Sequence, residues 1–389
     1  MPPVTNEIIG RRLEKVRKDL GLSLEFVATQ IDLNCYQVLR NIEKGSRPVR
    51  AAELAKLSKL YYRDLSYFLV GDEAREEQRS LAWRKDPSVA ATKQLEAKVL
   101  RLLMDYNLLE ELTSEAPPAR FAPWDKGQVE MGYKGVSRKA EQLGAELGLG
   151  PRPGLSLSDI IENKLGAKLL HLKMEDGVSA VSAIGDFGYA IIVNSEEAPW
   201  RRRFNLAHEL FHLYASNITP LGEVHASDDV GRTMTEKYAD AFAAALLLPE
   251  EHLKEAVRSR AQSNCLEPVD IIDIALDFAV SSQALLYRMQ NLGLLTSPSA
   301  DEIIASEQFI RLNREFRRQH NQPAQEFSSH MVLLALKAMQ HGKISKGRVC
   351  KMFDVSKTEF PTFLMGRGYP KEIEDIDDTA QVVLSNTRF

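Results

Sequence analysis

The stretch RRRFNLAHELFHLYAS, residues 201–216, sets His208 and His212 four residues apart, with Glu209 directly after the first. On an α-helix, positions i and i+4 share one face a turn apart, so both imidazoles can be directed at one point. A helix that buries such a face needs a second element to cover it. The segment TEKYADAFAAALLLP, residues 235–249, supplies one. Ala239, Phe242, Ala243, Leu246 and Leu247 recur there at helical spacing, and Glu236 and Asp240 stand four apart. The apolar face fits a helix packed deep in a core, whereas histidines at i and i+4 alone would also suit a partly exposed helix.

Zinc takes imidazole nitrogens and carboxylate oxygens in a tetrahedral site, and a catalytic zinc keeps one position for water. Glu209 projects beside the histidine pair, where a carboxylate takes the proton of that water as it attacks a carbonyl. The third protein ligand separates the subclasses. The metzincin pattern needs a histidine at position 218, where this chain has Ile218. Glu236 and Asp240 form instead the E-x-x-x-D arrangement of gluzincins, in which the glutamate binds metal and the aspartate accepts the free ring N–H of a ligating histidine. The expected ligands are therefore His208, His212 and Glu236, with Glu209 as general base and Asp240 supporting a ligand ring. His225, Asp228 and Asp229, in the polar loop between the two helices, compete for the third-ligand position. Tyr214 and Tyr238 are candidates for steadying the developing oxyanion. His171, His252, His320, His330 and His341 have no ligand-like spacing. The same donor set accommodates manganese, cobalt or iron as well as Zn2+.

The rest of the 389-residue chain, 44% hydrophobic and 27% charged, has the length of two or three domains. A net charge of -4 argues against a surface that seeks polyanions globally, so nucleic-acid binding has to be local. Cys35, Cys265 and Cys350 are far apart and form no C-x-x-C pair, which points to a reducing cytoplasm. The N-terminus is charged within a dozen residues, and the longest apolar run, residues 241–249, is far short of the ~20 residues that span a bilayer. No membrane partner is expected.

Residues 1–72 read as five short helices, with Gly21 ending one and Ser23 capping the next. Residues 73–125 read as a charged helical connector that ends in the loop-like APPARFAPW. Residues 126–298 mix α and β, and two strands joined at Gly185-Asp186 lie just before the histidine helix. Residues 299–389 are helical, with the last twenty read as a poorly ordered tail. The segments at Phe278–Ser281 and Phe353–Ser356 echo each other as helix, Phe-x-Val-Ser turn and helix, the grammar of a helix-turn-helix.

RRRFNLAHELFHL, preceded by YAIIVNS and followed by EKYADAFAAALLLP, resembles the ImmA/IrrE family of metallopeptidases over about residues 136–295. Asn205 stands where that family commonly has threonine. The resemblance implies His208, His212 and Glu236 as ligands of Zn2+, Glu209 as base, and a regulatory protein as substrate, typically a helix-turn-helix repressor. The first 72 residues resemble the Xre/Cro helix-turn-helix family, including the I-E-x-G close at Ile42–Gly45. That likeness places Tyr36, Gln37, Arg40, Asn41 and Lys44 against an operator in double-stranded DNA, with Arg47 and Arg50 near phosphates. Leu24 departs from the family's usual glutamine, and the turn at Asp32–Cys35 is one residue longer than usual. The expected fold class is multidomain: an all-α helix-turn-helix domain, an α+β gluzincin-like zinc peptidase domain and an all-α C-terminal domain. The expected function is a cytoplasmic, DNA-binding zinc endopeptidase that cuts a repressor or antitoxin-like protein, or itself, with a homodimer on two half-sites. The competing expectation is a transcriptional repressor or antitoxin whose peptidase-like domain senses or dimerises with little turnover.

Overall fold

A computed structural model describes residues 5–63, 65–69, 82–83, 90–114, 121–127, 132–174, 178–218, 234–261, 265–295, 298–320 and 324–369. The chain divides into two compact units, residues 1–105 with 185–187, and residues 106–184 with 188–389.

The first unit contains α1 (Asn6–Asp19), α2 (Leu24–Gln30), α3 (Tyr36–Glu43), α4 (Ala51–Leu60), α5 (Leu65–Leu69), β1 (Ala82–Trp83) and most of α6 (Ala90–Thr113). The side chains of Thr5 and Ser23 accept from the first-turn amides of α1 and α2, answering donors that a helix start leaves open. Leu13, Val27, Leu39, Leu57, Tyr61 and Phe68 form the core. α1 and α3 meet backbone to backbone at Gly10, where a Cβ would stand 2.5 Å from the carbonyl oxygens of Ile42 and Glu43. Beside this contact, buried Arg17 grips both carboxylate oxygens of Glu43 at 2.7 and 2.9 Å. α2 stops at Asp32, whose φ of 59° turns the chain, and the Leu33 amide closes back on the Ala28 carbonyl at 2.9 Å.

The second unit carries α7 (Tyr133–Leu147), α8 (Pro153–Asn163), β2 (Lys168–Leu172), β3 (Ala180–Gly185), β4 (Gly188–Asn194), α9 (Pro199–Tyr214) and α10 (Met234–Leu247). It continues through α11 (Glu250–Arg260), α12 (Pro268–Asp277), α13 (Ser282–Asn291), α14 (Ala300–Ala305), α15 (Glu307–Gln319), α16 (Ser329–Gln340), α17 (Lys346–Met352) and α18 (Phe360–Met365). The strands run in the order β3-β4-β2, with β2 parallel to β4 and Leu170 opposite Ile192. Ala190 to Val193 are all buried, so this inner strand reads as an unbroken apolar run. The outer edge of β2 is covered by the chain at Phe327, with the His171 amide donating to the Glu326 carbonyl at 3.2 Å. Helices dominate, and among the described residues none is long and apolar enough to cross a membrane.

A buried polar layer joins the end of α6 to α8 and β2. Lys168 Nζ pairs with Glu110 at 2.7 Å, and the Tyr106 hydroxyl donates to Glu162 at 2.9 Å. Burial pushes the Glu162 carboxyl up to about 7. α14 and α15 place Ala300 and Phe309 in the same apolar core as α9, α10 and α12. The last twenty residues lie outside the described residues.

Candidate metal centre

Pro199 opens α9 at a position where its fixed φ suits a helix and its missing N–H is not needed. Leu206, Ala207, Leu210, Phe211 and Leu213 then bury the helix, and α10 covers it with Ala239, Phe242 and Ala243. The alanines bring the two helices close enough for short polar side chains to meet across the contact.

His208 Nε2 and His212 Nε2 are 3.2 Å apart. Glu236 on α10 completes a triangle, with one oxygen 3.3 Å from His208 Nε2 and the other 3.5 Å from His212 Nε2. A tetrahedral zinc with bonds of 2.0–2.1 Å has ligand-to-ligand edges of about 3.3 Å. The observed triangle has the shape that three ligands of one such ion require, and two imidazole nitrogens with one carboxylate are the right donors. His208, His212 and Glu236 therefore fit a divalent metal.

The other ring nitrogen settles the tautomer. His208 Nδ1 is 2.9 Å from Asp240 Oδ1, so the ring donates there and keeps its Nε2 lone pair for the triangle. Without a metal the same carboxylates favour the cation. Burial presses the His208 proton off, but the hydrogen bonds the ring donates to Asp240 and Glu236 outweigh it and raise the ring to about 9. Metal and proton thus compete for one nitrogen. Glu209 is buried at 4% exposure, beside His208 in the chain.

An aromatic group backs the site. Trp124 stacks on Tyr214 at 5.0 Å and meets Phe211 and Phe242 edge-on, while its amide donates to the Tyr214 carbonyl at 2.6 Å. Tyr214 is sealed between Trp124 and Phe121, and burial raises its phenol. Tyr238 is half-buried on α10 and meets Tyr133 edge-on at 5.6 Å. Asn205 donates to Glu197, ahead of the helix. His225, Asp228 and Asp229 lie outside the described residues.

Residues 162–290 match the IrrE N-terminal-like domain, a peptidase family. The matched stretch contains the triangle, Glu209 and Asp240, so the chain carries an IrrE-like peptidase domain, and the fit to a metal agrees with the metal dependence usual for such peptidases. A solved structure of a Mycobacterium tuberculosis transcriptional regulator aligns at 17% identity with a TM-score of 0.31, over 48% of this chain and 52% of that one. This chain thus spans about half the length of the structure it matches. No curated protein matches it.

In the N-terminal unit, Tyr36, Gln37, Arg40, Asn41 and Lys44 are all exposed along and just after α3. Arg50 is exposed too, whereas Arg47 is held by both oxygens of Glu53 at 2.8 and 3.1 Å. The sequence reading offered Arg47 to phosphate without foreseeing this partner, which arrives only when α4 folds back.

Proposed function

We propose that this protein is a DNA-binding regulatory metallo-endopeptidase that uses Zn2+ to cut a repressor or antitoxin-like protein, or its own chain. The observation that carries the reading is the triangle of His208, His212 and Glu236, with edges of 3.2, 3.3 and 3.5 Å. A divalent metal held there supplies Lewis acidity to a peptide carbonyl and acidifies water. The protein's own groups do the rest. Glu209 takes the proton from the attacking water and returns it to the leaving amine. Asp240 fixes the His208 ring, and the buried aromatic wall of Trp124, Phe211 and Phe242 excludes water from behind the site. The exposed face of α3 is the proposed operator surface, with a homodimer on two half-sites and a cytoplasmic location.

The deciding experiment compares cells that express the full chain with cells that express Glu209→Gln, mapping new protein N-termini across the proteome. One or a few new N-termini should arise with the wild type only, while both proteins carry equal zinc. The same cleavages from Glu209→Gln would remove the mechanism. An unchanged regulatory phenotype with no wild-type cleavage would transfer the function to the repressor reading.

A further inference from the structure

Three arginines gather around the turn Phe278–Ser282, between α12 and α13. Among the described residues, no carboxylate pairs with any of them. The Arg152 guanidinium lies 4.0 Å over the Phe278 ring. Arg203 reaches the turn from α9. Its Cδ is 3.7 Å from where a Cβ on Gly154 would stand, a point 2.8 Å from the Phe278 carbonyl oxygen and 3.5 Å from Ala279 Cβ. Arg317 comes from α15, donates Nη2 to the Val280 carbonyl at 2.9 Å and to Ser282 Oγ at 3.1 Å, donates Nε to Asn313 Oδ1 at 3.0 Å, and lies 4.2 Å over Trp200. It is 7% exposed, and among the described residues its Nη1 meets no acceptor. The neighbouring acids are engaged elsewhere, Glu197 with Arg201 at 3.1 Å and Asp277 with Arg260.

The backbone adds to the positive field. Helices α8, α9 and α13 all begin here, at Pro153 after Arg152, at Pro199 beside Trp200 and at Ser282. Each start carries a partial positive charge, and neither α8 nor α9 has a side-chain cap. Burial alone lowers the Arg203 and Arg317 guanidiniums, Arg317 to about 10. A buried cation without a counter-charge is unfavourable unless something answers it. Arg317 is buried against the turn, while Arg152 and Arg203 are half-exposed.

We propose that Arg152, Arg203 and Arg317 around the Phe278–Ser282 turn bind a small dianion of the phosphate type. Three guanidiniums and three helix starts offer more positive charge than a carboxylate monoanion neutralises. Arg203 and the candidate ligand His208 share α9. The site stands whether or not the chain cuts peptide bonds.

The test is calorimetric titration of the full-length protein with inorganic phosphate and with acetate at constant ionic strength. One phosphate should bind per chain, with acetate at least tenfold weaker. Arg203→Gln should weaken phosphate binding at least tenfold while the melting temperature of the anion-free protein stays put, because Arg203 holds no other residue by hydrogen bond. Arg40→Gln and Glu236→Gln should leave phosphate binding intact, which separates this site from the α3 surface and from the metal centre. Arg317→Met should act like Arg203→Gln; if it fails to fold, Arg152→Gln takes its place. Absence of phosphate binding, indifference to Arg203→Gln, or acetate binding as tightly as phosphate would overturn the assignment. Glycerol 3-phosphate binding more tightly than phosphate identifies a phosphate monoester as the ligand, and weaker binding identifies the free ion; both uphold the site.

Discussion

The metal centre and the outer face of α3 are both helix faces rich in polar side chains, yet physically they are opposites. On α9 and α10 the groups are largely buried and hold one another at 2.9 to 3.5 Å. On α3 and just past it, Tyr36, Gln37, Arg40, Asn41 and Lys44 stand in solvent, and among the described residues their side chains make no hydrogen bond or ion pair, the one side-chain contact to the group being Ser46 Oγ donating to the Asn41 carbonyl at 3.0 Å. Burying imidazole and carboxylate is costly unless each is answered, so the first set must be preorganised. The second set takes its geometry only from a partner. Loss of one of the three converging donors in the first should therefore act as all or nothing, and a change in the second by degrees.

The largest effect expected is loss of the metal. Glu236→Gln removes the only anionic donor of the triangle, and His212→Ala removes one of its two ring nitrogens. Wild-type protein purified without added metal should carry near-stoichiometric zinc by elemental analysis, and each variant less than about a tenth of that, with operator binding through α3 unchanged. Stoichiometric zinc in Glu236→Gln would show that the triangle is not the binding site.

A smaller effect is expected one step out. Asp240→Asn keeps a group of the same size near His208 Nδ1 but removes the charge that orients and polarises the ring, a change that typically costs 10–100-fold in metal affinity. Acidity exposes the same link. His208 is held up to about 9, so below that pH each metal that binds must displace one proton from it. The sign follows: apparent affinity rises with pH by about tenfold per unit and levels off above about 9. In Asp240→Asn the cation loses a carboxylate partner and the plateau should begin at lower pH. Zinc titrations between pH 6 and 10 check both; equal affinities and the same plateau onset for the two proteins would detach Asp240 from the site.

How far the sequence predicts the molecule depends on the same contrast. That His208, His212 and Glu236 can meet is readable because helical spacing fixes each pair of positions and the apolar stripe of α10 says which face is turned inward. The two strands before α9 are readable from the turn signal at Gly185-Asp186, although Gly185 ends β3 and the link itself is Asp186-Phe187. Phe121 and Trp124 were not readable as core. They sit in a proline-marked stretch that looks like a connector's end, and only tertiary packing against Tyr214 and Phe242 gives them a place. The arginines of the Phe278–Ser282 turn were missed for a similar reason, since Arg152, Arg203 and Arg317 come from three distant helices. The turns themselves carry a warning. Asp32, Ala279 and Asp354 all take φ between 53° and 59°, and each following residue closes back on a carbonyl five residues earlier. The helix after the first turn buries Leu39 and Ile42 and turns Gln37, Arg40 and Asn41 to solvent, whereas the helix after the second buries Leu285, Leu286 and Met289 and its one arginine, Arg288, as well. A shared turn grammar fixes backbone geometry, and exposure decides what the next helix can touch.

The smallest effect expected is on that exposed helix, and it tests the comparison from its weaker side. Arg40 stands on the outer face of α3, with Leu39 and Ile42 turned inward to the core. Its guanidinium is free to pair with a guanine edge in the major groove, where one such contact is worth about 1–3 kcal/mol. Arg40→Ala should therefore weaken binding to an operator selected from random duplexes by that amount, with no change in metal content or melting temperature, because no folded contact is lost. Lys44→Ala should instead weaken all duplexes alike and flatten the salt dependence by about one unit, the behaviour of a phosphate contact. Anisotropy titrations over a range of salt distinguish the two. If neither substitution alters DNA affinity, the exposed face of α3 is not the reading surface, and its polar side chains are then a solvated face of a helical interaction domain.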